Sequence, residues 1–172
     1  MQQTSELLVR HATEADLPRI LAIYNSGRAF MRSCGNMSQW INGYPSEALL
    51  RDDIANNTLY CITENDEAAR ICGVFALIDG DDPTYAEIFE GAWKDMRPYG
   101  TIHRIAGDGT HSGMLACAVA FASRTRNHLR IDTHSDNLPM QRAVARCGFE
   151  YCGVIYIADG SPRLAYDWVK PC

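Results

Sequence analysis

RIAGDGTHSGM, residues 104–114, places three glycines, an aspartate, a threonine, a histidine and a serine directly after an apolar, strand-like run. A loop of this make at a strand-to-helix junction can cradle phosphate, because small residues let the anion approach backbone N–H groups at the positive end of the helix. A P-loop requires G-x-x-x-x-G-K-[ST], and here Gly113 is followed by Met114 and Leu115, so the phosphate-reaching lysine is missing. A dinucleotide fingerprint starts well, with Gly107-Asp-Gly109 after a strand and Asp132 near the place of a ribose-binding acid. Its third glycine, however, arrives one residue late, at 113. Fewer than seventy residues follow Gly107, too few for a doubly wound parallel sheet. Two readings of the loop stay open: a pyrophosphate site built from main-chain amides over residues 110–115, and a glycine-rich turn that holds nothing.

Outward from this loop, periodicity and punctuation predict the remaining elements. Towards the N-terminus, a strand over 101–106 follows a polar and aromatic insertion, 80–100, with a helical turn expected over 85–93. Before it stand two strands, 58–63 and 71–78, joined by the polar turn 64–69. ICGVFALI is apolar on both faces, which predicts a central strand. A helix over 46–56 turns Leu49, Leu50 and Ile54 inward, and 30–45 reads as loop. The chain opens with a strand at 7–11 and an amphipathic helix capped by Thr13, with Asp16 three residues on. Towards the C-terminus come an apolar helix over 113–123 and a strand over 128–133. A helix over 136–147 follows, with Pro139 in its first turn and Gly148 just past its end. A hairpin of 149–157 and 163–168 closes the chain. The order predicts one α+β domain, residues 1–172, around a mixed sheet.

Composition narrows the classes of function. A net charge of −5 argues against nucleic acid as the main partner, since phosphate neutralisation needs a basic footprint. The start, MQQTSELLVRHA, has neither the basic nor the apolar region of a signal peptide, and no apolar run approaches the ~20 residues of a bilayer span. No membrane partner is expected. Seven cysteines, at 34, 61, 72, 117, 147, 152 and 172, form no C-x-x-C pair, so reduced thiols in a cytoplasmic protein are expected rather than a disulfide framework or a metal site.

Five motifs in fixed order carry a resemblance: QW-x-x-GYP, DPTY, IHRIA, RIDTH-x-DN-x-x-M and DG-x-x-R-x-AY. With the opening VRHATEADLPRILAIYN and the closing G-F of RCGF, the chain resembles the GNAT superfamily of acyl-CoA-dependent N-acyltransferases over nearly its whole length. Together the five motifs are similar to one bacterial subgroup. The resemblance implies a single-domain GNAT-like fold, with a mostly antiparallel central sheet, helices on both faces, and strands four and five splayed. It implies transfer of an acetyl group from acetyl-CoA to a primary amine of a small molecule or peptide, with no metal. The alternative is a non-catalytic acyl-CoA-binding module. A homodimer is common in the family, and the sequence neither supports nor opposes it.

GTHSGM stands where the family carries its CoA pyrophosphate motif R/Q-x-x-G-x-G/A. Thr110 replaces the Arg/Gln, Gly113 matches, and Leu115 replaces the second small residue. The resemblance thus assigns cosubstrate binding to Thr110, His111, Ser112, Gly113, Met114 and Leu115, and to Asn137. It assigns the backbone near Ile105, Ala106 and Gly107, where the fourth strand bulges, to the developing oxyanion. The usual general-acid tyrosine falls on Val144, which cannot donate a proton. A leaving thiolate of pKa ~8.5 needs little help.

For the base that frees the amine, strand alternation puts Arg130, Asp132 and His134 on one face. An imidazole, with its ordinary pKa of ~6.5, suits proton removal near neutrality. His134 is therefore one candidate, although its place equally suits a cap of the next helix. His103 is a second, with core packing as its other reading. Glu87 and Glu90 are exposed helix charges unless they face the acceptor. Trp40, Tyr44, Tyr85 and Trp93 lie in the two loop-rich segments that wall the acceptor pocket in the family, and core packing is the competing role for each. Arg142 and Arg146 share a helix face and either could meet the adenosine 3′-phosphate.

Overall fold

The computed structural model describes residues 6–171. The reading of the first residues as no leader, the last cysteine and both ends of the predicted domain therefore fall partly outside the described residues. Strand β1 (Leu7–His11) leads through a single 3₁₀ turn (Glu14–Asp16) into α1 (Leu17–Ser33). Thr13 and Asp16 form the predicted capping box, and Arg10 grips the Asp16 carboxylate at 2.7 and 2.9 Å. After a loop come α2 (Glu47–Ala55), β2 (Leu59–Glu64), β3 (Ile71–Asp79) and β4 (Gly100–Gly107). Then follow α3 (Met114–Ala122), β5 (His128–Thr133), α4 (Leu138–Arg146), β6 (Glu150–Tyr156) and β7 (Pro162–Val169).

The seven strands form one sheet in the order β1-β2-β3-β4-β5-β7-β6. Every neighbouring pair is antiparallel except β4–β5, which is parallel. This α+β architecture is the expected one. β3 lies inside the sheet, buried from Ile71 through Leu77, as an unbroken apolar run requires. Two apolar layers cover the sheet. Leu115, Ala118, Ala122 and Val144 of α3 and α4 pack with Phe75, Leu129 and Ile131. On the other face Ile20, Ile23, Tyr24 and Leu50 of α1 and α2 pack with Leu59, Val74 and Ala76.

Two elements differ from the sequence reading. Helix α1 continues to Ser33, four residues into the expected loop. Its buried Met31 extends the core face, and Arg32 donates to the carbonyls of Asn36, Gln39 and Trp40, tying the loop to the helix end. The helical turn expected over 85–93 is absent. A 3₁₀ turn (Pro83–Tyr85) is followed by irregular chain, in which Phe89 and Val154 exchange backbone hydrogen bonds at 2.8 Å. Gly91 permits this approach: a Cβ there would stand 2.0 Å from the Cys152 carbonyl oxygen.

The insertion is pinned from beneath by charge. The Arg130 guanidinium is sandwiched between the rings of Trp93 and Tyr99, at 3.7 and 4.0 Å, and its Nε donates to Asp167 at 2.9 Å. Asp167 also accepts from the amides of Lys94 and Asp95 and meets His128 Nε2 at 2.8 Å.

Candidate active site

β4 and β5 are paired only at Gly100↔Leu129 and Thr101↔Arg130 and part beyond that point. The opening is widened by a bulge on β4: two residues, Arg104 and Ile105, stand opposite the single Phe75 of β3. Arg104 takes a left-handed φ of 53° there. The conformation is held from both ends. The buried Tyr24 hydroxyl donates to the Arg104 carbonyl at 2.8 Å, and the Arg104 guanidinium bonds Asp53 at 2.6 Å, with both side chains more than nine-tenths buried.

Two cavities meet at this opening. One, of about 600 Å³, runs between α1, the loop after β4 and α4; the other, of about 680 Å³, lies between the loop after α1, the insertion and the start of β7. They share Met31, Trp40, Ile105, Asn137 and Met140.

The first cavity is a groove with apolar walls and a polar floor. Of the residues expected to hold the cosubstrate, all but Thr110 line it. Its floor is the start of α3, where Gly113 adopts φ 81° and no side chain caps the helix. The first helical amide to find a backbone partner is that of Cys117, on the Gly113 carbonyl at 3.0 Å. The amides of residues 112–116 thus stay available to an anion at the positive end of the helix. Gly113 has the backbone freedom this turn demands, and its surroundings leave open space. Thr110 is turned away: its hydroxyl and amide bond Asp108, and Arg70 donates to its Oγ1 at 3.2 Å. Asp108 itself is held between Arg19 at 2.6 Å and Arg70 at 2.9 Å.

Asn137 lies where the cavities join. It caps α4 by accepting from the Met140 amide, and its own amide donates to Gln39 at 3.0 Å. Cavity contact and capping therefore belong to one side chain. On α4 and its C-cap the residues facing the groove include Met140, Ala143 and Cys147 and, of the two arginines, Arg146 rather than Arg142. Val144 points the other way, wholly buried between α4 and the sheet.

The second cavity brings His103 and Asp82 together, with Nε2 and Oδ2 at 3.1 Å. Asp82 Oδ1 accepts from the amide and hydroxyl of Thr84 at 2.9 and 2.7 Å. The hydrogen bond to His103, outweighing partial burial, holds the Asp82 carboxyl down at about 2. An ionised carboxylate only accepts, so in the neutral imidazole it selects the tautomer with the proton on Nε2 and the lone pair on Nδ1. Neither residue is within twenty positions of the other in sequence. Asp82 was missed as a site residue, although DPTY contains it.

The other candidates are placed as follows. Trp40 and Tyr44 line the second cavity. Tyr85 and Trp93 do not; they form a separate apolar cluster with Ile155 and Ala165, and the Tyr85 hydroxyl donates to Asp132 at 2.6 Å. Burial pushes the Tyr85 phenol well above its ordinary range. His134 lines neither cavity. It lies just past the end of β5, and its Nδ1 accepts from the Asp136 amide at 3.0 Å, closing the turn into α4. Glu87 and Glu90 are exposed outside both cavities.

A family model described as "Acetyltransferase (GNAT) domain" matches residues 6–150. Among solved structures, a GNAT-family acetyltransferase from Streptococcus agalactiae is 30% identical, with a TM-score of 0.85 and 96% of each chain covered. A GNAT-family acetyltransferase from Listeria monocytogenes is 18% identical, covering 95% of this chain and 94% of its own at a TM-score of 0.69. A ribosomal-protein-alanine N-acetyltransferase from Brucella melitensis shares the fold at 20% identity and a TM-score of 0.61, with 94% and 99% covered. No curated protein matches the chain.

Proposed function

The chain belongs to the GNAT acetyltransferase family, and on that premise we propose that it is an acetyl-CoA-dependent N-acetyltransferase acting on a primary amine of a small molecule or peptide. The proposal treats residues 1–172 as one catalytic domain of the bacterial subgroup marked by the five motifs. It places the enzyme in the cytoplasm, in keeping with six free thiols among the described residues. No helix among the described residues is long and apolar enough to cross a membrane. The observation that carries the reading is the junction of two cavities at Trp40, Ile105 and Asn137, beside the split between β4 and β5.

The groove fits acetyl-CoA by its donor set: an uncapped helix start with free amides for a diphosphate, and apolar walls for the pantetheine arm. The cosubstrate supplies a thioester carbonyl as the electrophile. The amides of residues 112–116 hold the diphosphate, with Ile105, Met114 and Leu115 excluding water beside it. The acceptor amine enters the second cavity between Trp40 and Tyr44. A lysine-like ammonium, with a pKa of ~10.4, must lose a proton before it attacks. His103 Nδ1 takes that proton, and Asp82 steadies the ring and the charge it gains. With Val144 buried, no tyrosine on α4 protonates the leaving thiolate; at pKa ~8.5 it departs unaided.

The test is binding and then turnover. Acetyl-CoA at a hundred times its Kd stabilises by about 2.7 kcal/mol, which raises the Tm by roughly 5–10 °C for a chain of this size. A panel of amines with a thiol-reactive dye then reports free CoA. No thermal shift overturns the cosubstrate assignment. A shift without thiol release from any amine overturns catalysis and leaves an acyl-CoA-binding module.

A further inference from the structure

Among the described residues three arginine side chains are buried, those of Arg104, Arg130 and Arg163, and Arg104 has Asp53 as its counter-ion. Arg130 has its counter-ion, Asp167. Arg163 has none. It is 7% exposed, and only its Nη1 is used, donating to Ser161 Oγ at 3.0 Å and to the neighbouring Pro162 carbonyl at 2.8 Å. Among the described residues no carboxylate comes within ion-pair distance of it. Burying a guanidinium with no direct ion pair and two donors unused is costly. The two donors left over, Nε and Nη2, are not sealed off, because the side chain lines the acceptor cavity.

Two of the three acidic groups lining that cavity are otherwise engaged. Asp82 serves His103 and Thr84, and Asp159 turns to the amide and hydroxyl of Ser161 at 2.8 and 2.5 Å. Asp132 has one oxygen on the Tyr85 hydroxyl and the other without a partner. The cavity therefore offers a guanidinium with two unused donors and no direct ion pair at the start of β7, and Asp132 with the Asp82–His103 pair on its other walls. That arrangement matches a molecule carrying both an oxyanion and an amine.

We propose that Arg163 is an anion-binding residue of the acceptor site, and that the acceptor is an amine bearing a carboxylate, such as an amino acid or short peptide. The free Nε and Nη2 match two carboxylate oxygens side by side, a geometry lysine and neutral side chains cannot reproduce. This rests on the acetyltransferase reading and gives its acceptor cavity a chemical class. It also accounts for the arginine of DG-x-x-R-x-AY, a motif with no part in the groove.

The test compares amino acids and dipeptides with their carboxamides, by thiol release with acetyl-CoA saturating. A charge-assisted pair predicts kcat/KM about 10- to 100-fold higher for the carboxylates. In Arg163→Gln, with folding checked by circular dichroism, the preference collapses to near unity, and in Arg163→Lys it is partly restored. Equal rates for carboxylates and carboxamides in the wild type overturn the inference while the acetyltransferase reading stands. If no amine releases thiol, that reading falls instead, and calorimetry with the N-acetyl amino acids and their amides decides the site alone. Binding of the acids that Arg163→Gln weakens tenfold or more supports it, and binding blind to the carboxylate overturns it.

Discussion

Asp82→Asn exchanges one carboxylate oxygen for an amide nitrogen, and the neighbours dictate which. Oδ1 accepts two hydrogen bonds from Thr84, from its amide and its hydroxyl. The backbone amide can only donate, so the oxygen of an asparagine must stay on that side. Its NH₂ group then faces His103 Nε2, where the carboxylate Oδ2 stood at 3.1 Å. A donor now points at Nε2, so the ring proton moves to Nδ1 and the lone pair that would accept the amine's proton is lost. Loss of a positioned base lowers kcat by about 10²–10⁴-fold.

Asp82→Ala imposes no such reversal. It frees the imidazole to take either tautomer, at a loss of about 3- to 10-fold from mixed protonation and looser aim. Chemistry therefore orders the variants wild type, alanine, asparagine, whereas a purely structural role for Asp82 orders them wild type, asparagine, alanine. Steady-state thiol release with saturating acetyl-CoA measures the order. The thermal shift given by acetyl-CoA serves as the control, since Asp82 does not line the groove and both variants should keep it. Asparagine matching or exceeding alanine, or staying within about threefold of wild type, refutes the tautomer reasoning.

Asp16, held by Arg10 and the Thr13 cap, is also drawn down to about 2. A carboxyl depressed below its unfolded value of ~3.9 stabilises fully above that value and loses its contribution as pH falls towards 2, so thermal melts between pH 6 and 2 should steepen in that window and flatten in Asp16→Asn; an unchanged profile speaks against it. Asp53→Ala leaves the buried Arg104 without its counter-ion and should cost about 3–5 kcal/mol, or roughly 10 °C in Tm by calorimetry. Gly113→Ala meets no atom within 4 Å but must hold φ 81°, so it should lose only about 1 kcal/mol, a Tm drop of 2–4 °C.

Features encoded within a few residues were legible from sequence. The Thr13 box, the Asn137 cap with Pro139 behind it, and the glycine-led start of α3 are each dictated by local donors and acceptors, and each formed as expected. Strand alternation held for Arg130 and Asp132. It failed at His134, because β5 ends at Thr133 and a period-two rule has no force beyond the last ladder bond. Tyr85 and Trp93 were ambiguous for another reason: an aromatic ring fits a pocket wall and a core equally well. Here the choice is made by Arg130 and Asp132, which come to the insertion from 35 or more residues away. The helical turn over 85–93 was lost to Phe89 pairing with Val154, a partner that only the folded sheet supplies. His103 was visible as a residue type, but its orienting carboxylate was not, since nothing local joins positions 82 and 103.

On the proposed acetyl-CoA reading, the two departures from the family pattern, Thr110 and Val144, share one explanation. Where the family's pyrophosphate motif spends a long polar side chain, this chain spends a scaffold. Asp108 is fixed between Arg19 of α1 and Arg70 ahead of β3, and Thr110 is fastened to Asp108. The turn is thereby fastened from two sides, which on the proposed reading leaves backbone amides as the anion's ligands, and the two guanidiniums offset the negative charge that Asp108 would otherwise bring beside a diphosphate. Val144 follows the same logic on the opposite wall. Facing the sheet with no exposure, it contributes packing that ties α4 to α3, and it leaves proton delivery to a leaving group that hardly needs it. In both places a side-chain function is given up where main-chain geometry or the leaving group's own chemistry can stand in. The residues that have no such substitute, the His103–Asp82 pair and the Arg163 guanidinium, stand together in the second cavity, so differences in acceptor choice among relatives should concentrate there rather than in the groove.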